Sequence, residues 1–139
     1  MTNTEEKEEK TKHLTCIICP MGCSLEVTFP EGYTSENART FDPSLFKVTG
    51  NTCKRGDEYA RKELTTPERT LTCTVAVSGG KRPLVTAKTK GEVPKEKLLD
   101  CMQAVRRLTV KAPVKAKDVL VKDLLHTGID LVACEDVAV

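Results

Sequence analysis

The order of apolar and polar residues predicts two short strands in the first half of the chain. The stretches "SLEVTF" and "LFKVTG" alternate apolar and polar positions, as strands with one buried face do. Between them, "PEGYTSENARTFDPS" is rich in turn-forming residues, so we expect the two strands to pair across a long loop. A short helix is predicted over "DEYARKEL", with Asp57 as its N-cap and Pro67 marking the break that follows.

After this break the alternation resumes and then changes to a helical period. "LTCTVAV" predicts a strand, and "LVTAKT" predicts its antiparallel partner across a turn at "SGGKRP". Residues 94 to 108 place their apolar side chains on one stripe with a period near 3.6, which predicts a helix with Pro94 in its first turn. Two further apolar strand candidates flank "HTG", so the second half is predicted to pack one helix on a mainly antiparallel sheet.

These patterns predict an α+β fold divided into three parts. Residues 1–13 combine repeated Glu and Lys with few apolar residues and are predicted to be a disordered tail. Residues 14–68 contain the closely spaced Cys16, Cys19 and Cys23 and the later Cys53, and are predicted to form a small cysteine-rich, metal-binding domain with a β-hairpin and a short helix. Residues 69–139 are predicted to form the small α+β domain.

Composition narrows the possible functions. Charged residues make up 30% of the chain, and no apolar run approaches the roughly 20 residues that cross a bilayer. The N-terminus lacks the apolar core of a secretory signal, so we expect a cytoplasmic protein. Aromatic residues are only 4%, without Trp, and the net charge is +2, which argues against a nucleic-acid-binding surface. The local basic stretch "CKRG" with Arg61 and Lys62 is interpreted as a solvated face, with docking of an acidic partner as the alternative.

The cysteines are the most informative residues. The chain has seven, an odd number that cannot pair completely, and a cytoplasmic setting disfavours disulfides. Cys16, Cys19 and Cys23 lie within eight residues, and Cys53 follows after 29 more. This 3+1 grouping favours a [4Fe-4S] cluster, which needs one sulfur ligand for each iron. Structural zinc sites usually take two pairs of closely spaced ligands, which fits this spacing less well. Zinc is therefore kept as the alternative metal.

Neighbouring residues suit a cluster site as well. Gly22, Gly50 and Gly56 let the backbone approach closely, although glycines also serve ordinary turns. Cys53 stands just before the predicted helix, whose positive end would stabilise a thiolate.

The remaining chemically active side chains are interpreted as structural. Cys73, Cys101 and Cys134 fall on apolar segments and are predicted to be small buried hydrophobic residues. His13 is predicted to face solvent, and His126 to serve a turn or the core, since no nucleophile or orienting acid stands beside it in sequence. No phosphate-binding glycine motif follows a predicted strand, so a nucleotide site is not expected.

The first half resembles a known type of domain. The order Cys-x2-Cys-x3-Cys, two strands, "GNTCKRG" and a helix is similar to the N-terminal [4Fe-4S] domain of molybdopterin oxidoreductases, over about residues 14–70. The resemblance implies Cys16, Cys19, Cys23 and Cys53 as cluster ligands. It also implies a cationic side chain beside the cluster at the position of Arg55.

Nearly the whole chain resembles a family of short uncharacterised bacterial and archaeal proteins, through "YARKE", "APVKAKDV" and "TGIDLVA". Lys117 stands where a glycine is expected in that family. Its members are often encoded beside FAD-dependent oxidoreductases and anaerobic glycerol-3-phosphate dehydrogenases. The resemblance therefore implies a non-catalytic iron–sulfur electron-transfer subunit of such an enzyme. The alternative function is a zinc-binding or redox-silent protein-interaction module.

Overall fold

The computed structural model describes residues 10–139 and divides into two compact units. The first unit ends at Pro67, and the second comprises Glu68–Val139, one residue before the boundary predicted from the sequence. Of the predicted disordered tail, residues 1–9 lie outside the described residues. Residues 11–13 lie instead in the first strand, so the tail prediction is wrong for them.

The first unit contains a three-stranded antiparallel sheet and one helix. Its elements are β1 (Thr11–Thr15), β2 (Ser24–Thr28), β3 (Lys47–Thr49) and α1 (Lys54–Glu63). The strand order is β1-β2-β3, and the β2–β3 pairing confirms the predicted hairpin with its long loop. Strand β1 was not predicted, because "TKHLT" is mostly polar and forms a strand by pairing with β2 along its whole length.

Aromatic rings fill the core under the long β2–β3 connection. The Phe29 and Tyr33 rings stack with centroids 4.2 Å apart, and Phe46 meets both edge-on at 5.4 and 5.1 Å. The Tyr33 hydroxyl donates a hydrogen bond of 2.8 Å to the Leu64 carbonyl at the end of α1. These contacts hold the loop and helix together, and aromatic pairs of this geometry each add about 1 kcal/mol beyond burial.

Helix α1 is anchored by Arg61 and not by the predicted cap. The Asp57 carboxylate lies inside the helix and accepts two hydrogen bonds from Arg61, at 2.9 and 3.0 Å, so its prediction as N-cap is wrong. The same guanidinium donates to the carbonyls of Pro43 and Phe46 at 2.7 and 2.8 Å. Arg61 therefore connects helix α1 to the loop before β3, and its interpretation as part of a solvated basic face is wrong.

The second unit is built on a five-stranded sheet. The unit as a whole has seven strands: β4 (Glu68–Arg69), β5 (Thr72–Ser78), β6 (Leu84–Thr89), β7 (Val93–Pro94), β8 (Thr109–Lys111), β9 (Val119–Val121) and β10 (Leu131–Ala133). The large sheet has the order β8-β5-β6-β10-β9, while β4 and β7 form a separate pair. All its pairs are antiparallel except β5–β8, which confirms the predicted mainly antiparallel sheet and the β5–β6 hairpin.

One α-helix packs on this sheet, as predicted, although Pro94 lies in β7 and not in the first turn of the helix. Helix α2 (Leu98–Arg106) follows a short 3-10 turn and buries Cys101 and Val105 completely or nearly so. Cys73 in β5 is half-buried, whereas Cys134, which directly follows β10, is exposed. The prediction of a buried hydrophobic role is therefore wrong for Cys134. Over residues 10–139, no helix is both long and apolar enough to cross a membrane.

Lys117 adopts the left-handed backbone conformation that a glycine would favour. Its φ is +75°, and its N–H donates 2.8 Å to the Ala133 carbonyl. We expect Lys117→Gly to raise the free energy of unfolding by about 1 kcal/mol, since a non-glycine residue in this region costs roughly 1–2 kcal/mol and glycine loses part of that gain in chain entropy. Urea unfolding followed by circular dichroism measures the change. Lys115→Gly, in the same turn without a positive φ, should lower stability; a loss with Lys117→Gly would contradict the prediction.

Candidate metal centre

The β1–β2 hairpin brings three cysteines to one loop. The last paired residues of the two strands are Thr15 and Ser24. One step further, the Cys16 N–H donates a 2.8 Å hydrogen bond to the Cys23 carbonyl, so these two cysteines face each other at the base of the loop. Cys19 lies in the connection between them, and the hairpin therefore presents all three thiols on a single loop.

A close backbone approach brings the fourth cysteine to the same place. Strand β3 runs beside β2, and at its end Gly50 has φ +86°. A Cβ at Gly50 would lie 2.2 Å from the Ser24 carbonyl oxygen, far closer than atoms can pack. Only glycine permits this path past the residue that follows Cys23. Three residues later, Cys53 is the N-cap residue of α1.

All four cysteines line one cavity of about 130 Å³, together with Arg55 and Thr52. Cys16 is buried, Cys19 and Cys23 are half-buried, and Cys53 is exposed, so the cavity reaches the surface of the protein. None of the four forms a disulfide. The structure thus brings together the complete set of predicted ligands from two separate segments.

The donor set suits a metal, although the side chains are not arranged around one. Four thiols can ligate either a [4Fe-4S] cluster or zinc. Within residues 10–139, the structure has no group of three or more His, Cys, Asp or Glu side chains already placed to hold a metal ion. Binding at this cavity therefore requires the thiols to turn towards a common centre.

Two of the thiols are biased towards the thiolate, the form that binds metals. The Gly56 N–H, followed by the Arg55 guanidinium, lowers the pKa of Cys53. The Thr52 hydroxyl lies 3.2 Å from the Cys23 sulfur, and its hydrogen bond lowers the pKa of that thiol. The charge of Cys53 acts in the opposite direction on the pKa of Cys23, which indicates that the two sulfurs interact.

Arg55 faces the sulfurs and not only the solvent. Its pKa is raised mostly by Cys53 and more weakly by Cys19 and Cys16, because their thiolates favour the charged guanidinium. The cation therefore lies near three of the four predicted ligands. It can offset part of the negative charge that deprotonated thiols bring to the cavity.

Arg55→Ala should shift the titration of Cys53 to higher pH in the metal-free protein. The guanidinium favours the thiolate, so its removal raises the Cys53 pKa and less thiolate is present at a given pH. Iodoacetamide alkylation at a series of pH values, with Cys53 followed by peptide mass spectrometry, measures the shift. Lys54→Ala is the matched control, since Lys54 lies 3.8 Å from Glu58 and does not line the cavity. Equal titration curves for Arg55→Ala and the parent protein would contradict the assigned role.

Thr52 and the apolar cavity residues Ile18 and Met21 were not predicted as part of the site. Both apolar residues are largely exposed, at 48% and 72%. Thr52 precedes Cys53 directly, but its hydrogen bond to Cys23 depends on the fold and leaves no signal in the sequence.

Neither histidine lines the cysteine cavity. His13 lies in β1 with its side chain 70% exposed and 3.8 Å from Glu26 on β2, which agrees with the predicted solvent-facing position. His126 is 97% exposed in a turn, 3.5 Å from Asp123. Asp123 is thus an acidic neighbour of His126, although no orienting acid was expected beside it.

Comparison with known proteins gives a family without an assigned function. A family model described as "Protein of unknown function (DUF1667)" matches residues 54–135, beginning directly after Cys53. No curated protein matches the chain. An NMR structure of Clostridium perfringens protein CPE0013 is similar at 28% identity, covering 51% of this chain and 85% of that one, with a TM-score of 0.48.

Proposed function

We propose that this chain, which belongs to the DUF1667 family, is a non-catalytic electron-transfer subunit that holds a [4Fe-4S] cluster through Cys16, Cys19, Cys23 and Cys53. One observation supports the proposal above all. Four cysteines from two separate segments of the first unit line a single cavity. Their 3+1 origin in the chain favours a cubane cluster over zinc.

The bound cluster would supply one-electron oxidation and reduction, and the protein needs no bond-making residue for that chemistry. The four thiolates hold the iron. Arg55 and the Gly56 N–H offset the negative charge that accumulates on the sulfurs, and both influences favour the reduced, more negative state. Cys53 is the most exposed of the four thiols, which gives an external partner access to the site.

The proposed partner is a flavin-dependent oxidoreductase, including the glycerol-3-phosphate dehydrogenase type, which exchanges single electrons with this chain. The resemblance to proteins encoded beside such enzymes supports this partner. The proposed location is the cytoplasm, where all seven cysteines, which are free in the structure, would remain reduced.

Anaerobic purification tests the proposal. We expect a brown protein with about four iron and four sulfide per chain, and an EPR signal that appears on reduction with dithionite. Reconstitution with iron and sulfide should restore the same values if the cluster is lost during purification. A colourless protein that binds stoichiometric zinc and takes up no iron would instead support the redox-silent interaction module.

A further inference from the structure

We propose that the loop around the cysteine cavity is the contact surface for the redox partner, and that it makes this contact through apolar side chains. The inference depends on the proposed electron-transfer function. Ile17, Ile18 and Met21 are 57%, 48% and 72% exposed and lie within five consecutive residues of the cysteine-bearing loop. We call these three side chains the apolar rim. Two of them line the cavity itself, so a protein that touches the apolar rim lies directly over the sulfurs.

The charges near the apolar rim favour an uncharged contact. The chain has no charged residue from Leu14 to Leu25. On the other arm, Lys54 lies 3.8 Å from Glu58, and the exposed Arg55 interacts with the thiols of the cavity, so the uncharged stretch is confined to the cysteine-bearing loop. A partner surface of matching chemistry is apolar where it meets this loop.

The size of the apolar rim indicates a transient partner. Three partly exposed side chains offer at most a few hundred Å², whereas a stable interface buries about 800 Å² from each protein. Electron-transfer encounters lie at the low end of interface sizes, below about 1,200 Å² in total. A small contact releases its partner quickly after the electron has crossed, which suits a carrier better than a permanent dimer of this chain.

The step itself is a single electron transfer. A reduced flavin in the partner would give up one electron, which a cluster held by the four thiols would accept. No bond forms or breaks between the two proteins, and no proton has to cross the interface. The apolar rim contributes by excluding water and by bringing the two redox centres close together.

The test uses the full chain loaded with iron and sulfide, and reduced flavodoxin as the electron donor. Ile17→Gln removes an apolar contact without adding charge, at a residue that does not line the cavity. Leu45→Gln is the matched control, because Leu45 is 58% exposed in the same unit and outside the cavity. Stopped-flow spectroscopy gives the second-order rate constant. We expect Ile17→Gln to lower it about tenfold, as loss of one well-packed apolar contact does, and Leu45→Gln to leave it within about twofold.

Two further measurements separate the possible failures. Reduction by dithionite, which needs no protein contact, should be equal in all three proteins, and the effect of Ile17→Gln should persist at high salt because an apolar contact is not screened. Equal flavodoxin rates in both variants, or no transfer from flavodoxin to a cluster that dithionite reduces, would overturn the inference and leave the proposed function intact. Failure of the parent protein to bind iron would overturn the proposed function. A dimer that dissociates in Ile17→Gln would show that the apolar rim serves a second copy of this chain.

Discussion

Serine at any one of Cys16, Cys19, Cys23 or Cys53 is expected to remove most of the bound iron and sulfide. Each iron of a cubane cluster takes one thiolate from the protein, and a serine hydroxyl stays protonated at neutral pH. Since all four thiols line the same cavity, losing any of them leaves one corner of the cluster without its ligand. Iron and sulfide per chain, measured after anaerobic reconstitution, and the visible absorbance of the same samples give the result.

Two other cysteines provide matched controls. Cys73→Ser changes a half-buried thiol in β5, and Cys134→Ser changes an exposed one after β10. Neither residue lines the cavity, so both variants should keep the iron content of the parent protein. The exposed control also tests whether loss of any accessible thiol impairs reconstitution. Equal losses in a control and in the cavity variants would show that the ligand set is wrong.

The parts of the fold that the sequence predicts well are those with a buried face. Strand β5 alternates because Val75 and Val77 point into the core of the second unit, and its partner β6 does the same with Val85 and Ala87. Helix α2 shows its 3.6-residue period because Cys101 and Val105 lie on its buried side. In each case burial of apolar surface is the main source of stability, and the sequence pattern records it.

Elements that depend on a neighbour leave little pattern. Strand β1 has only Leu14 as a large apolar residue, and β8 is a three-residue strand held by parallel pairing with β5. Asp57 was predicted as a cap because its position suits one, but a guanidinium four residues later competes for its carboxylate. Whether these short strands and this cap form depends on tertiary contacts, which override local propensity.

The candidate site shows the same division. The spacing of the cysteines identifies the four residues that line one cavity, because so close a grouping of thiols is typical of a ligand set. The hydrogen bond between Thr52 and Cys23 and the proximity of Arg55 to three sulfurs depend on how the two segments approach each other. Gly50 determines that approach, and its role as more than an ordinary turn residue becomes apparent only from the 2.2 Å contact that a Cβ would make.

Gly50→Ala is therefore expected to destabilise the first unit and to impair iron binding together. The added methyl group would meet the Ser24 carbonyl at 2.2 Å, and φ is +86°, so the β3 end must move away from β2. We expect the free energy of unfolding to fall by about 3 kcal/mol, from backbone strain and the displaced strand pair together. Tyrosine fluorescence during urea unfolding reports on this unit specifically, since the chain has no Trp and both tyrosines precede Pro67.

Gly32→Ala separates the close approach from the backbone conformation. Gly32 also has a positive φ, of +90°, in the same unit, but nothing lies within 4 Å of a Cβ placed there. The Gly32→Ala variant should lose only about 1–2 kcal/mol of its free energy of unfolding, which is the cost of the left-handed conformation alone. It should retain full iron binding. The difference between the two variants then measures the contact with Ser24. If both lose the same stability and both keep their iron, Gly50 is not what holds Cys53 beside the hairpin loop, and the two segments must be joined mainly by the packing of α1 on Leu25 and Phe46.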